Sequence, residues 1–165
     1  MPSNAELANR LLSLKLKACN GLPWTNDDIT TVKDCLQRDD VMRILAACCV
    51  LSSRWLEDWS QALGIVRVAI ERTEVPPYAE LLIYEALTSI RRTEMEPYWV
   101  AILRFIEKSL ERRSVSLVNA VAVLGIMGRA GEPHAIALLK SLTEDSDAQV
   151  RSNAILILKD IGISC

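Results

Sequence analysis

A Cys–His nucleophilic pair in this chain would have to use His134, its single histidine. Such a pair needs an imidazole to take the thiol proton, and no other is present. His134 follows Pro133, at what reads as the first turn of a helix, where a surface histidine is the plainer reading. The five cysteines are Cys19, Cys35, Cys48, Cys49 and Cys165. Their count is odd, their spacing is irregular and no CxxC pair occurs, so a zinc site or a thioredoxin-type motif has no support. Cys48 and Cys49 are adjacent inside the apolar run Ile44–Leu51, which points to reduced, buried thiols in a cytosolic protein. Carboxylates gather at turns, as Asp27–Asp28, Asp39–Asp40 and Glu144, Asp145, Asp147. Helix N-termini attract acids through the backbone dipole. Calcium loops need alternating acids around an internal glycine, which is missing. No GxSxG, P-loop or GxGxxG pattern occurs. The expectation is a non-enzyme, with no catalytic residue, cofactor or metal ligand assigned.

Arg91–Arg92 and Arg112–Arg113 close helices, as the dipole favours, and they lie among Glu94, Glu96, Glu107 and Glu111. A phosphate-binding strip is the alternative reading. The balance of 21 acids against 19 bases, a formal charge of −2, argues against a dedicated nucleic-acid surface. The tryptophans are Trp24, Trp55, Trp59 and Trp99. Trp55 and Trp59 share a helix face if the helix continues through Leu56. Core packing or a cap is the plainer role, and an exposed anchor for a partner is the alternative.

The elements that must position these residues are helical. The chain has 165 residues, half of them hydrophobic and 24% charged, which suits one folded domain spanning 1–165. Apolar periodicity predicts nine helices over 3–19, 25–38, 39–54, 57–73, 77–92, 97–112, 114–129, 133–143 and 147–162. Thr25, Ser114 and Asp147 are expected caps, and Pro76–Pro77, Pro97 and Pro133 sit in first turns. Gly128, Gly131 and Gly162 are expected to close helices. Arg10, Lys15 and Lys17 interrupt the N-terminus, so a signal peptide is not expected. The Ile44–Leu51 run is too short to span a bilayer. Cys165 is the last residue, so it does not fit a prenylation box.

Internal repetition is the strongest signal. "SNAILILKDIG" (152–162) aligns with "VNAVAVLGIMG" (118–128) at an offset of 34 residues, and the same step back reaches "YEALTSI" with Ala86 and Ile90 in register. "EPHAIALLKSL" (132–142) aligns with "EPYWVAILRFI" (96–106) at an offset of 36. The run 124–162 resembles the short, lyase-type HEAT-like repeat. It has a Gly-x-Pro opening, an Ala-Ile and Leu-Leu first helix, an acidic turn, Val-Arg, a small residue and a closing Ile-Gly. The likeness is looser over 96–128 and weakest before residue 92. A tetratricopeptide has a similar period, but its Trp and Leu-Gly signals are missing.

The resemblance implies an all-α, right-handed α-solenoid of about four antiparallel helix pairs (25–54, 57–92, 97–129 and 133–162) plus an N-terminal helix over 3–19. In that architecture the second helix of each pair lines the concave face. The repeat register then assigns partner contacts to Tyr84, Glu85, Thr88 and Arg91, to Val118, Asn119, Ala122, Gly125 and Ile126, and to Ser152, Asn153, Leu156 and Lys159. Val150, Ala154, Ile157, Leu158 and Ile161 form the core stripe of the last helix, and Arg151 is expected to bond across to a neighbouring turn. The helix around 118–126 is apolar on all sides, so it is either wholly buried or the floor of an apolar groove.

The expected function is a cytoplasmic, non-catalytic scaffold or adaptor that binds another protein through this face. One alternative is a dedicated inhibitor or immunity protein blocking one toxin or enzyme. A second is a nucleic-acid-binding protein resembling the HEAT-like alkylpurine DNA glycosylases, which the acidic balance disfavours. HEAT-like iron hydroxylases need several His–Glu pairs, which one histidine cannot supply. Self-association through the C-terminal repeat is also expected to be open, because Ile155 and Leu156 add apolar surface there. No membrane partner is expected.

Overall fold

A computed structural model describes residues 2–38, 41–53, 59–71 and 75–164. It is all-α, and no strand occurs among the described residues. No helix among them is long and apolar enough to cross a membrane. The chain divides into two compact units, Met1–Ile90 and Arg91–Cys165.

The first unit contains α1 (Asn4–Cys19), α2 (Asn26–Leu36), α3 (Val41–Ser53), α4 (Trp59–Glu71) and α5 (Pro77–Ser89). All four other helices pack on α3. Its composition explains this: Met42, the whole run Ile44–Leu51 and Ser53 are buried, so apolar residues point in every direction. Thr25 and Asp28 form a reciprocal capping box that starts α2. Asp28 also accepts from Lys17 at 3.0 Å, and Arg10 pairs with Asp27, so the acids of this turn tie α2 to α1. The Trp24 indole is half-buried and donates to the Leu14 carbonyl at 3.0 Å. Trp59 is half-buried at the start of α4, whereas Trp55 and Asp39–Asp40 lie outside the described residues.

The second unit opens with α6 (Arg92–Met95), followed by a 3-10 turn at Glu96–Tyr98 and then α7 (Trp99–Glu111), α8 (Leu117–Arg129), α9 (Pro133–Ser141) and α10 (Ala148–Asp160). α8 packs against α7, α9 and α10, and α9 packs against α10. The helix expected over 97–112 therefore begins at Trp99, because Pro97 sits in the 3-10 turn before it. The next helix begins at Leu117 rather than 114. Ser114 caps a turn instead, accepting from the Ser116 N–H at 3.2 Å. Asp147 caps α10 as expected, accepting from the N–H groups of Gln149 at 2.7 Å and Val150 at 3.1 Å.

Gly128 does not close α8; it lies inside the helix, and a Cβ built on it would come 3.3 Å from Leu139. Closure falls to Gly131 (φ 83°), with Gly162 (φ 78°) doing the same for α10. The helix α7 ends in the same way, with the Arg113 N–H bonded to the Leu110 carbonyl and the Ser114 N–H to the Ser109 carbonyl. Here the left-handed residue is Arg113 (φ 53°), the only non-glycine with positive φ among the described residues.

Two contacts set α8 against α10. A Cβ at Gly125 would meet Ile157 Cδ1 at 3.0 Å, and Arg129 Nη2 reaches Asp160 Oδ2 at 2.8 Å. Both pairs run in the same sense along the two helices, so α8 and α10 lie parallel. Gly125→Val is expected to destabilise the protein by about 1–3 kcal/mol through overpacking. Adding Ile157→Ala should restore part of that loss in a double-mutant cycle read by denaturant unfolding, whereas strictly additive effects would contradict the contact.

Candidate protein-binding face

The helix α8 buries Leu117, Ala120, Val121, Val123, Leu124, Gly125, Met127 and Gly128, yet it is not enclosed. Ala122 is exposed, and Val118, Asn119 and Ile126 are half-buried. Residues 118, 122 and 126 are four apart, so they form one continuous stripe. Gly125 falls outside the stripe: it was expected on the face, but it receives Ile157. A Cβ there would press on the Ile157 side chain at 3.0 Å.

On α10 the core stripe holds Val150, Ala154 and Leu158 fully buried, with Ile157 and Ile161 partly covered. Ser152, Leu156 and Lys159 are exposed and Asn153 is half-buried. Since Ile157 and Asp160 turn toward α8, helical phase places Asn153 and Leu156 on the side next to it. Ser152 and Lys159 follow on the side beyond. Leu156 is 62% exposed, a large apolar side chain beside the α8 stripe.

The other expected contacts lie elsewhere. Tyr84, Glu85 and Thr88 are on α5 in the first unit, and Arg91 opens the second. Tyr84 is a correction: it is 0% exposed, because the buried arc of α5 runs from Ala79 through Leu87 and includes it. Glu85 forms an ion pair with Lys15 of α1. Thr88 is exposed and donates to the Glu85 carbonyl at 2.7 Å, and Arg91 is exposed at the start of α6.

Two arginines of the second unit, Arg113 and Arg151, hold the turn before α10. Arg113 grips Asp145 with two hydrogen bonds, of 2.6 and 3.0 Å, and donates to Ser146 Oγ at 2.6 Å. This couples the end of α7 to the turn before α10. Arg151 also reaches a turn, but the one leading into its own helix, through the Asp145 carbonyl at 2.5 Å and the Ser146 carbonyl at 2.9 Å. The bond that crosses from one helix to a distant turn is thus made by Arg113, not by Arg151. Its partner could not be foreseen from sequence, since the two lie 32 residues apart. The Arg112 guanidinium donates to the Lys108 carbonyl at 3.2 Å. His134 is exposed, with Nε2 3.0 Å from Glu107 Oε1, a surface pairing between α9 and α7.

Cys35, Cys48 and Cys49 are buried and form no disulfide, and Cys19 is exposed, which corrects the expectation of a buried thiol there. Burial pushes the Cys48 thiol far up and holds Cys49 at about 12. The Cys49 thiol donates to the Leu11 carbonyl at 3.2 Å. Among the described residues no group of three or more His, Cys, Asp or Glu side chains could hold a metal ion. Comparison of the chain with family models, curated proteins and solved structures returns no match.

Native protein in dilute solution at pH 8 is expected to alkylate rapidly at Cys19 while Cys35, Cys48 and Cys49 stay protected; peptide mapping showing fast labelling of Cys48 or Cys49 would contradict their burial. The Arg113 hydrogen bonds hold the Asp145 carboxyl below the usual range. A depressed folded-state value means its stabilising contribution is complete above the unfolded value of about 4 and fades as pH falls through the folded one. Asp145→Asn is therefore expected to lower Tm at neutral pH, with the difference from wild type closing toward pH ~2. A difference that persists undiminished in acid would show that the charge is not what matters.

Proposed function

We propose that the chain is a non-catalytic scaffold or adaptor that binds another protein through the face built by α8 and α10. It is read here as a HEAT-like solenoid of paired helices. The observation that carries this reading is the stripe Val118–Ala122–Ile126, left open on a helix otherwise buried and bordered by the exposed Leu156. A helix that only filled a core would close this stripe, as α3 does. The parallel α8–α10 register and the Arg113–Asp145 link between successive helix pairs support the repeat reading.

Apolar centres with polar margins are what protein partners recognise, and Asn153 with the Arg129–Asp160 pair supplies such a margin. The nucleic-acid alternative loses one of its four candidate arginines, because Arg113 is occupied by Asp145 and Ser146. Buried thiols that form no disulfide favour a reducing compartment, in keeping with a cytoplasmic protein.

The test is capture from native lysate with wild type, Ala122→Arg and Leu156→Arg as bait. Both substituted positions are exposed, so helicity and melting temperature should hold. A partner retained by wild type and weakened about tenfold or more by each variant is the expected result, the scale of an interface centre. A partner that both variants bind like wild type would overturn the reading. If that partner is an enzyme silenced on binding, the chain acts as its inhibitor.

A further inference from the structure

The helix α1 carries a second stripe besides its core one. Leu7, Leu11 and Leu14 are buried in the first unit, where α1 packs on α3. On the opposite side Ala5, Asn9, Leu12, Leu16 and Cys19 are all exposed. Leu12 is 42% exposed and Leu16 64%. The spacing of the five alternates between four and three residues, which is the spacing of a and d positions in a two-stranded coiled coil. In heptad terms Asn9 and Leu16 take the a positions, and Ala5, Leu12 and Cys19 take the d positions. The seam holds no charge, whereas a solvated helix face is ordinarily charged.

The charges of α1 are accounted for within the first unit. Glu6 bonds the Ser3 amide at 2.7 Å and hydroxyl at 2.8 Å, Lys17 bonds Asp28 at 3.0 Å, Arg10 pairs with Asp27 and Lys15 with Glu85. A charged partner would find little to recognise, and a membrane surface would find no spare lysine or arginine on this helix.

Asn9 narrows the choice of occupant. A helix laid on this seam covers its amide, and a covered amide needs a hydrogen-bonding partner at the same level. Two-fold symmetry supplies one in a parallel pair, because each Asn9 then meets the Asn9 of the other copy. A single asparagine at an a position is a device that fixes register and two-stranded assembly. An antiparallel pair would set Asn9 against Leu12 and leave the amide unsatisfied. We propose that α1 pairs in parallel with α1 of a second copy, a contact independent of the α8–α10 face. Leu12 then packs on Leu12, Leu16 on Leu16, and the two Cys19 thiols share the last layer.

Sedimentation equilibrium across a concentration series reaching about 1 mM is the test, since a two-helix contact is small beside the standard interface of ~1,600 Å². The mass is expected to rise from 18.4 kDa toward twice that value. Leu12→Glu and Leu16→Glu should each weaken association about tenfold or more by burying an unpaired charge, with circular dichroism and Tm unchanged. Leu156→Arg should leave it intact. A constant monomer mass would overturn the proposal, as would a dimer that survives Leu16→Glu or is lost with Leu156→Arg. Mild oxidation with copper phenanthroline reads the register. A Cys19–Cys19 crosslink, located by peptide mapping, is expected in the wild-type dimer and should fall away in Leu16→Glu. A dimer that forms without that crosslink would overturn the parallel arrangement. Wild type co-sedimenting with vesicles of three parts phosphatidylcholine to one part phosphatidylglycerol, while remaining monomeric in solution, would overturn it too and assign the seam to a membrane.

Discussion

The second unit depends on how closely α10 can approach α8, and the missing side chain at Gly125 sets that distance. A Cβ there would come within 3.0 Å of Ile157 Cδ1 and push that side chain back. In the parallel pair that the intervening α9 makes possible, this approach accompanies the contact of Arg129 with Asp160 and leaves Leu156 beside the α8 stripe. A wider separation would move Leu156 away from that stripe. The candidate face is thus a consequence of packing, and its shape follows from residues that do not belong to it.

Helix positions were largely legible in the sequence because they rest on local physics. Asp147 caps its own helix, Thr25 and Asp28 cap theirs, and prolines start α5 and α9. The misjudged boundaries have local causes too. Pro97 occupies a 3-10 turn, and Gly128 is spared a side chain for the sake of Leu139 rather than for a left-handed turn. One glycine can serve either purpose, and a single sequence does not distinguish them. Arg113 illustrates the converse. It takes a backbone conformation usually left to glycine, and it does so where its guanidinium meets Asp145 and Ser146.

Surface was harder to read than fold. α3 and α8 are both apolar nearly all round, yet α3 is enclosed by four helices and α8 keeps an open stripe. Periodicity reports which residues prefer to be buried, and the number of neighbours decides whether they are. Tyr84 shows the same gap: the repeat register assigned it to a face, while the width of the buried arc of α5 took it inside. The outer seam of α1 is masked in the sequence, because Leu12 and Leu16 interleave with the core residues Leu11 and Leu14. Only the exposures separate the two stripes.

In the proposed scaffold, the residues divide between holding shape and meeting a partner. The most direct test of that division is amide hydrogen exchange on the protein alone and in complex with its captured partner, resolved by peptide. Protection confined to 118–126 and 152–159, with the rest of the chain unchanged, is the expected result. Protection elsewhere, with those two segments exchanging as they do in the free protein, would contradict the α8–α10 face as the site of binding.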